Sequence, residues 1–168
     1  LNPFRHLDLW GTIFMILTSI AGAGFGWAKP VMVNPNRYKI NRKAGMLIVA
    51  LAGPLSNLFL ALLGGYLCHI IISGLIPYNQ YFHIFFYYFM WMNICLAAFN
   101  IIPIPPLDGS KVLAVILPDK YANVVYSAGM YFMLILLALS FTGLLGNIMN
   151  PIINGLMSFV TMIVGNVG

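Results

Sequence analysis

The chain has 168 residues, of which 61% are hydrophobic and 7% charged. A soluble domain carries about 25% charged residues, so this composition, with a mean hydropathy of +0.93, excludes a soluble globular enzyme and predicts one all-α, polytopic membrane domain over residues 1–168. The net charge of +5 reflects three acids against eight Lys and Arg. Four of those bases, Arg37, Lys39, Arg42 and Lys43, sit beside an apolar run. They read as a topology signal and not as a nucleic-acid surface. The two cysteines, Cys68 and Cys95, fall inside apolar stretches and read as small core residues rather than a disulfide or metal pair.

About four transmembrane or re-entrant helices are expected, followed by a C-terminal amphipathic or peripheral helix. Leu1–Leu9, with Pro3, Arg5, His6 and Asp8, reads as an entry segment at a membrane surface. An apolar run from Trp10 to Ala28 follows, bracketed by Trp10 and Trp27 as two interfacial anchors would be; its glycines leave a tilted span and a re-entrant helix both open. Lys29–Lys43 is polar, and Pro30 and Pro35 deny it helix, so a short extended segment is predicted near 30–35. Its basic run places this stretch in the cytoplasm.

Ala44–Ile76 is apolar throughout and longer than one crossing needs. It carries Ala52-Gly53-Pro54-Leu55-Ser56-Asn57. Gly and Pro are tolerated in membrane helices where neighbours re-satisfy the backbone, and small residues let another backbone approach. Asn57 cannot face lipid cheaply and is expected to point into the bundle, where an interhelical hydrogen bond would be the plain explanation for it. The uncharged turn Pro77–Gln80 belongs on the outer side. Tyr81–Ile102 begins with an aromatic belt, and Asn93 and Asn100, seven apart, share one helix face.

A break then follows: Asn100-Ile101-Ile102-Pro103-Ile104-Pro105-Pro106-Leu107-Asp108-Gly109. Three prolines in four positions cannot continue a helix. Non-helical backbone at membrane depth survives only where protein packs it or where it lines a wet cavity, and an acid there marks a functional-site candidate. The plain alternative is a polar turn with Asp108 capping the next helix. Ser110–Leu117 is predicted as a short helix capped near Asp108 or Ser110 and ended by Pro118. Val124–Phe141 reads as a further span. Met149–Val164 carries Asn150, Asn154, Ser158 and Thr161 as one polar stripe.

The ordered set of Ala52-Gly53-Pro54-Leu55-Ser56-Asn57, then Asn100, then Pro105-Pro106-Leu107-Asp108-Gly109 resembles the site-2 protease family of intramembrane zinc metalloproteases. Leu1-Asn2-Pro3-Phe4-Arg5-His6, Phe25–Val31 and Asn34-Pro35 resemble its compact branch without a PDZ insertion. The resemblance implies an endopeptidase that cuts membrane-embedded segments of a membrane protein substrate, in a multi-pass cell-membrane protein with its site near the cytoplasmic side. It implies Zn2+ held by two histidines of an H-E-x-x-H helix and by the aspartate matching Asp108. The glutamate of that motif would be the general base. Asn100 matches the asparagine that positions substrate or the forming oxyanion. Gly53, Pro54 and Asn57 match the element packed near the catalytic helix.

The chain also departs from that pattern. It contains no glutamate, and no two of His6, His69 and His83 have three residues between them, so H-E-x-x-H is absent. The family places that helix before a Leu-Asn-Pro segment, and this chain begins with one; the expectation is a piece of a longer protein whose catalytic helix lies upstream, and tight zinc binding is not expected of this chain alone. The three histidines read as hydrogen-bonded or interfacial side chains and not as ligands. Two rival readings are a non-catalytic membrane homologue that keeps the substrate cradle and, with one break and no repeat, a small transporter subunit.

Overall fold

The structure is a computed structural model, and it describes residues 8–20, 41–118 and 129–168. The chain divides into two compact units, Leu1–Lys39 and Ile40–Gly168. Among the described residues every regular element is a helix. The extended segment expected near 30–35, His6, the Gly-rich end of the first run, and Asp119 and Lys120 lie outside the described residues.

The first unit holds α1, Leu9–Ile20. Asp8 starts it: its Oδ1 accepts the Gly11 N–H at 2.8 Å, and its carbonyl accepts the Thr12 hydroxyl at 2.7 Å. An acid at this place satisfies an orphan N–H and suits the positive end of the helix.

The second unit contains α2 (Arg42–Ile72), α3 (Gln80–Ile101), α4 (Asp108–Ile116), α5 (Gly129–Phe141) and α6 (Leu144–Val164). Asn41 caps α2 by accepting the Lys43 N–H. Asn79 caps α3 by accepting from Tyr81 and Phe82. Between them Gly74 takes a φ of 76°, a left-handed conformation that costs glycine little, and the chain doubles back. α2, α3 and α6 are each long and apolar enough to cross a membrane. The C-terminal helix, for which an interfacial helix and a last peripheral span were both open, is long and apolar enough for the second. Asn150, Asn154 and Ser158 of that stripe are exposed, while Val160 and Val164 on another side are buried.

Close packing of α2, α3 and α6 depends on missing side chains. A Cβ on Gly64 would sit 3.1 Å from the Met90 backbone nitrogen, and one on Gly65 would sit 3.1 Å from a Val164 methyl. This is how helices associate when lipid offers them no hydrophobic drive. Ala61, Cys68, Met90, Ile94, Val160 and Val164 form the resulting core. Cys68 and Cys95 are free thiols, the first buried and the second half-buried. Leu55, Phe59, Leu63 and Tyr66, spaced at three and four along α2, are exposed and make an apolar outer face.

His69 and His83 are hydrogen-bonded structural side chains. His69 Nδ1 lies 3.0 Å from the Asn166 carbonyl oxygen, and His83 Nε2 lies 3.0 Å from that of Val167. The end of α2 and the start of α3 thus hold consecutive carbonyls of the segment after α6. Gly165, with a φ of 91°, passes directly over the His69 ring.

A second core, Ile102, Leu107 and Leu136, seats the proline-rich break against α5 and the first turns of α6. Its backbone stays paired: Ile102 N–H reaches Phe99, Ile104 N–H reaches Ile102, and Leu107 N–H reaches Ile104. The Pro105–Pro106 peptide bond is cis.

Candidate functional site

The site is built where the break meets the middle of α2. The prolines end α3 at Ile101, and Ile102 turns to extended backbone with ψ 128°. The chain resumes helix at Asp108. Gly109 then lies directly on the carbonyls of Ile101 and Ile102, and any Cβ there would collide with both. Glycine after the aspartate is therefore a packing requirement. It lets α4 fold back against the end of α3.

Asp108 is the first residue of α4 and does not cap it. The cap position is Leu107, with no side-chain bond, and the Ser110 hydroxyl donates to the Leu107 carbonyl at 2.7 Å. The capping expected of Asp108 or Ser110 is thus corrected, because the Asp108 carboxylate is drawn sideways. Lys111 Nζ donates to its Oδ1 at 2.7 Å. Its other oxygen faces α2, where a Cβ on Gly53 would come within 2.7 Å of Oδ2. The small residue in the α2 motif makes room for a carboxylate and not, as expected, for a backbone. The Asp108 side chain is 25% exposed, and its position at a helix start suits a negative charge.

Beside this contact lies a cavity of about 260 Å³. Ala50 and Pro54 of α2, Asn100 and Pro103 of the break, and Gly109 and Leu113 of α4 contribute to its wall. Apart from Asn100 the lining is apolar, so the hollow differs from the wet cavity expected of a broken membrane helix. The half-buried Asn100 side chain forms no hydrogen bond with any described residue, and among the described residues no buried side-chain polar atom is left without a partner. Its amide is therefore not sealed inside the protein.

The structure brings Gly53, Pro54, Asn100 and Asp108 to one place. Asn57 stands one turn beyond Gly53 on the same face of α2, half-buried, outside the cavity wall and without a hydrogen bond to the described residues. Asn93 is buried, and its amide donates to the Phe89 carbonyl of its own helix at 2.8 Å, so it adds nothing to a stripe leading to the break. Lys111 is a site residue that the motifs do not mark, although its spacing of three from Asp108 announces the ion pair. No sequence signal marks which aliphatic side chains enclose the cavity.

The profile of Peptidase family M50 matches residues 66–137, from the second half of α2 through the break into α5. "Putative zinc metalloprotease YwhC" of Bacillus subtilis (strain 168) is 35% identical over 158 residues, which is 92% of this chain and 69% of that protein. The chain belongs to Peptidase family M50. "Putative zinc metalloprotease MJ0611" of Methanocaldococcus jannaschii is 45% identical over 65 residues, covering 39% of this chain and 31% of that protein. No solved structure matches the chain. Membership of this site-2 protease family agrees with three helices fit to cross a membrane.

Zinc, which both relatives carry in their names, takes three protein ligands in a catalytic site. Among the described residues no three His, Cys, Asp or Glu side chains come together. Asp108 supplies one carboxylate, already bonded to Lys111. The described part of this M50 chain therefore does not make a zinc site by itself.

Proposed function

We propose that the protein bearing this chain is an intramembrane zinc metalloendopeptidase that cleaves membrane-embedded protein segments, and that these residues supply the aspartate side of its site. The observation that carries this reading is the Asp108 carboxylate at a helix break, seated on Gly53 beside a cavity with Asn100 in its wall. Asp108 is assigned as one zinc ligand, with the remaining ligands outside the described residues. In family members zinc activates water and polarises the peptide carbonyl.

The chain's own residues have narrower tasks. Asn100 has a donor and an acceptor with which to hold substrate backbone next to the carboxylate. Gly53 and Lys111 fix the Asp108 carboxylate from two sides. Asn57 packs toward the segment that brings the other ligands. The basic residues beside α2 support a reading in which the Asp108 end faces the cytoplasm of a multi-pass cell-membrane protein.

Zinc analysis of the purified, intact protein tests this. Asp108→Asn is expected to lower zinc content and abolish cleavage of a membrane-embedded substrate, while residues 1–168 alone retain no stoichiometric zinc after dialysis. Stoichiometric, Asp108-dependent zinc in residues 1–168 alone would sink the half-site assignment. Undiminished cleavage by Asp108→Asn would sink the peptidase reading and leave a non-catalytic membrane homologue that keeps the cradle.

A further inference from the structure

We propose that the cavity between α2 and α4 is a specificity pocket, which takes one aliphatic or aromatic side chain of the substrate segment next to the bond to be cut. The inference rests on the peptidase reading and adds to it the chemistry of the residue selected.

Two dipeptides tie the pocket to the carboxylate. Gly53-Pro54 and Asp108-Gly109 each give their first residue to the contact at Asp108 and their second to the pocket wall. A group lodged in the pocket is therefore one residue away from the carboxylate along either chain. Asn100 stands in the same wall with an unpaired amide, suited to the polar backbone of an unwound segment whose side chain points inward.

Size and polarity decide what enters. At about 260 Å³ the cavity exceeds the roughly 150 Å³ that holds a benzene ring in an engineered apolar cavity. It falls below the range of about 300–1,000 Å³ usual for whole drug-sized ligands. One large side chain fits, and a folded peptide segment does not. Val112, Leu113 and Ile116 on α4, with the buried Ala50 on α2, present no charge, so an acidic or basic side chain would lose its hydration without a partner.

The test uses the intact, zinc-loaded protein in detergent, with a membrane-segment substrate that varies at one position beside the scissile bond. Leu or Phe there is expected to be cut at least about tenfold faster than Ala or Asp, the range that a few methylenes command in an apolar pocket. Val112→Phe, which narrows the cavity from a partly exposed position in its wall, is expected to reverse the order toward Ala. Leu113→Ala, which enlarges it, is expected to favour Trp. A diazirine-bearing leucine at that position should label Val112, Leu113 or Ile116 in the unaltered protein, a readout that does not require cleavage.

Equal cleavage of all side chains, or labelling confined to the outer-face residues Leu55 and Phe59, overturns the pocket while Asp108-dependent cleavage keeps the peptidase reading standing. Cleavage indifferent to Asp108→Asn overturns the peptidase reading and the pocket's role together.

Discussion

Two glycines in the site meet different obstacles, and the difference is measurable. A Cβ on Gly53 meets the free end of the Asp108 side chain, whereas one on Gly109 meets backbone carbonyls. A carboxylate swings aside at small cost, but a helix end does not. Gly53→Ala should therefore leave the thermal midpoint in detergent nearly unchanged while lowering zinc content and cleavage in the intact protein. Gly109→Ala should cost about 1–3 kcal/mol of stability, as overpacking generally does. Lys111→Met should cost under about 1 kcal/mol, since its ion pair is partly exposed. If Gly53→Ala melts as badly as Gly109→Ala, the carboxylate is not the yielding partner. At this scale the sequence was legible where backbone chemistry constrains a residue: the prolines demanded the break, and Asp108 stood out in so apolar a chain. It was silent on Gly109, because nothing in an Asp-Gly pair announces that the end of the preceding helix will lie against it. It also misled on Asp108 as a cap, because Lys111 and the space over Gly53 draw the carboxylate away from the helix start.

Helices were easier to read than their partners. The apolar runs mark α3 to within a residue at each end, but that over Ala44–Ile76 overshoots the end of α2 by four residues, and the capping asparagines at 41 and 79 went unread. The place of α6 was not legible, because its polar stripe suits an interfacial helix and a last peripheral span equally. What joins these elements is the small-residue seam at Gly64 and Gly65. Gly64→Leu must push α3 away, since the backbone of Met90 blocks it, and should destabilise the bundle by more than about 1 kcal/mol. Gly65→Ala meets only the Met90 thioether and valine methyls and should be milder. Unfolding each variant in mixed micelles ranks them, and equal losses would mean that α2 and α3 do not touch at Gly64.

For the second unit as a whole, two features sit apart along α2: the carboxylate contact at Gly53, near its middle, and His69 near its C-terminal end, which with His83 of α3 holds the segment after α6. Among the described residues neither His69 nor His83 belongs to a metal cluster, and their bonds go to backbone carbonyls. His69→Ala or His83→Ala should each cost about 1 kcal/mol and raise hydrogen exchange at residues 165–168, with zinc content and cleavage preserved. Loss of zinc in either variant would place a histidine in the site after all. α2 carries both features on a single 31-residue rod. At about 1.5 Å per residue that rod measures roughly 46 Å, against a hydrocarbon layer of about 30 Å. Such an excess is absorbed by leaning or by protruding, and the balance follows acyl-chain length. Gly53 stands roughly 16 Å from the Arg42 end, so each change of lean raises or sinks the carboxylate clasped to it. Turnover in phosphatidylcholine vesicles should accordingly peak at one acyl length and fall on either side, making bilayer thickness a regulator of the reaction; a flat profile would show that the rod stands indifferent to the sheet it crosses.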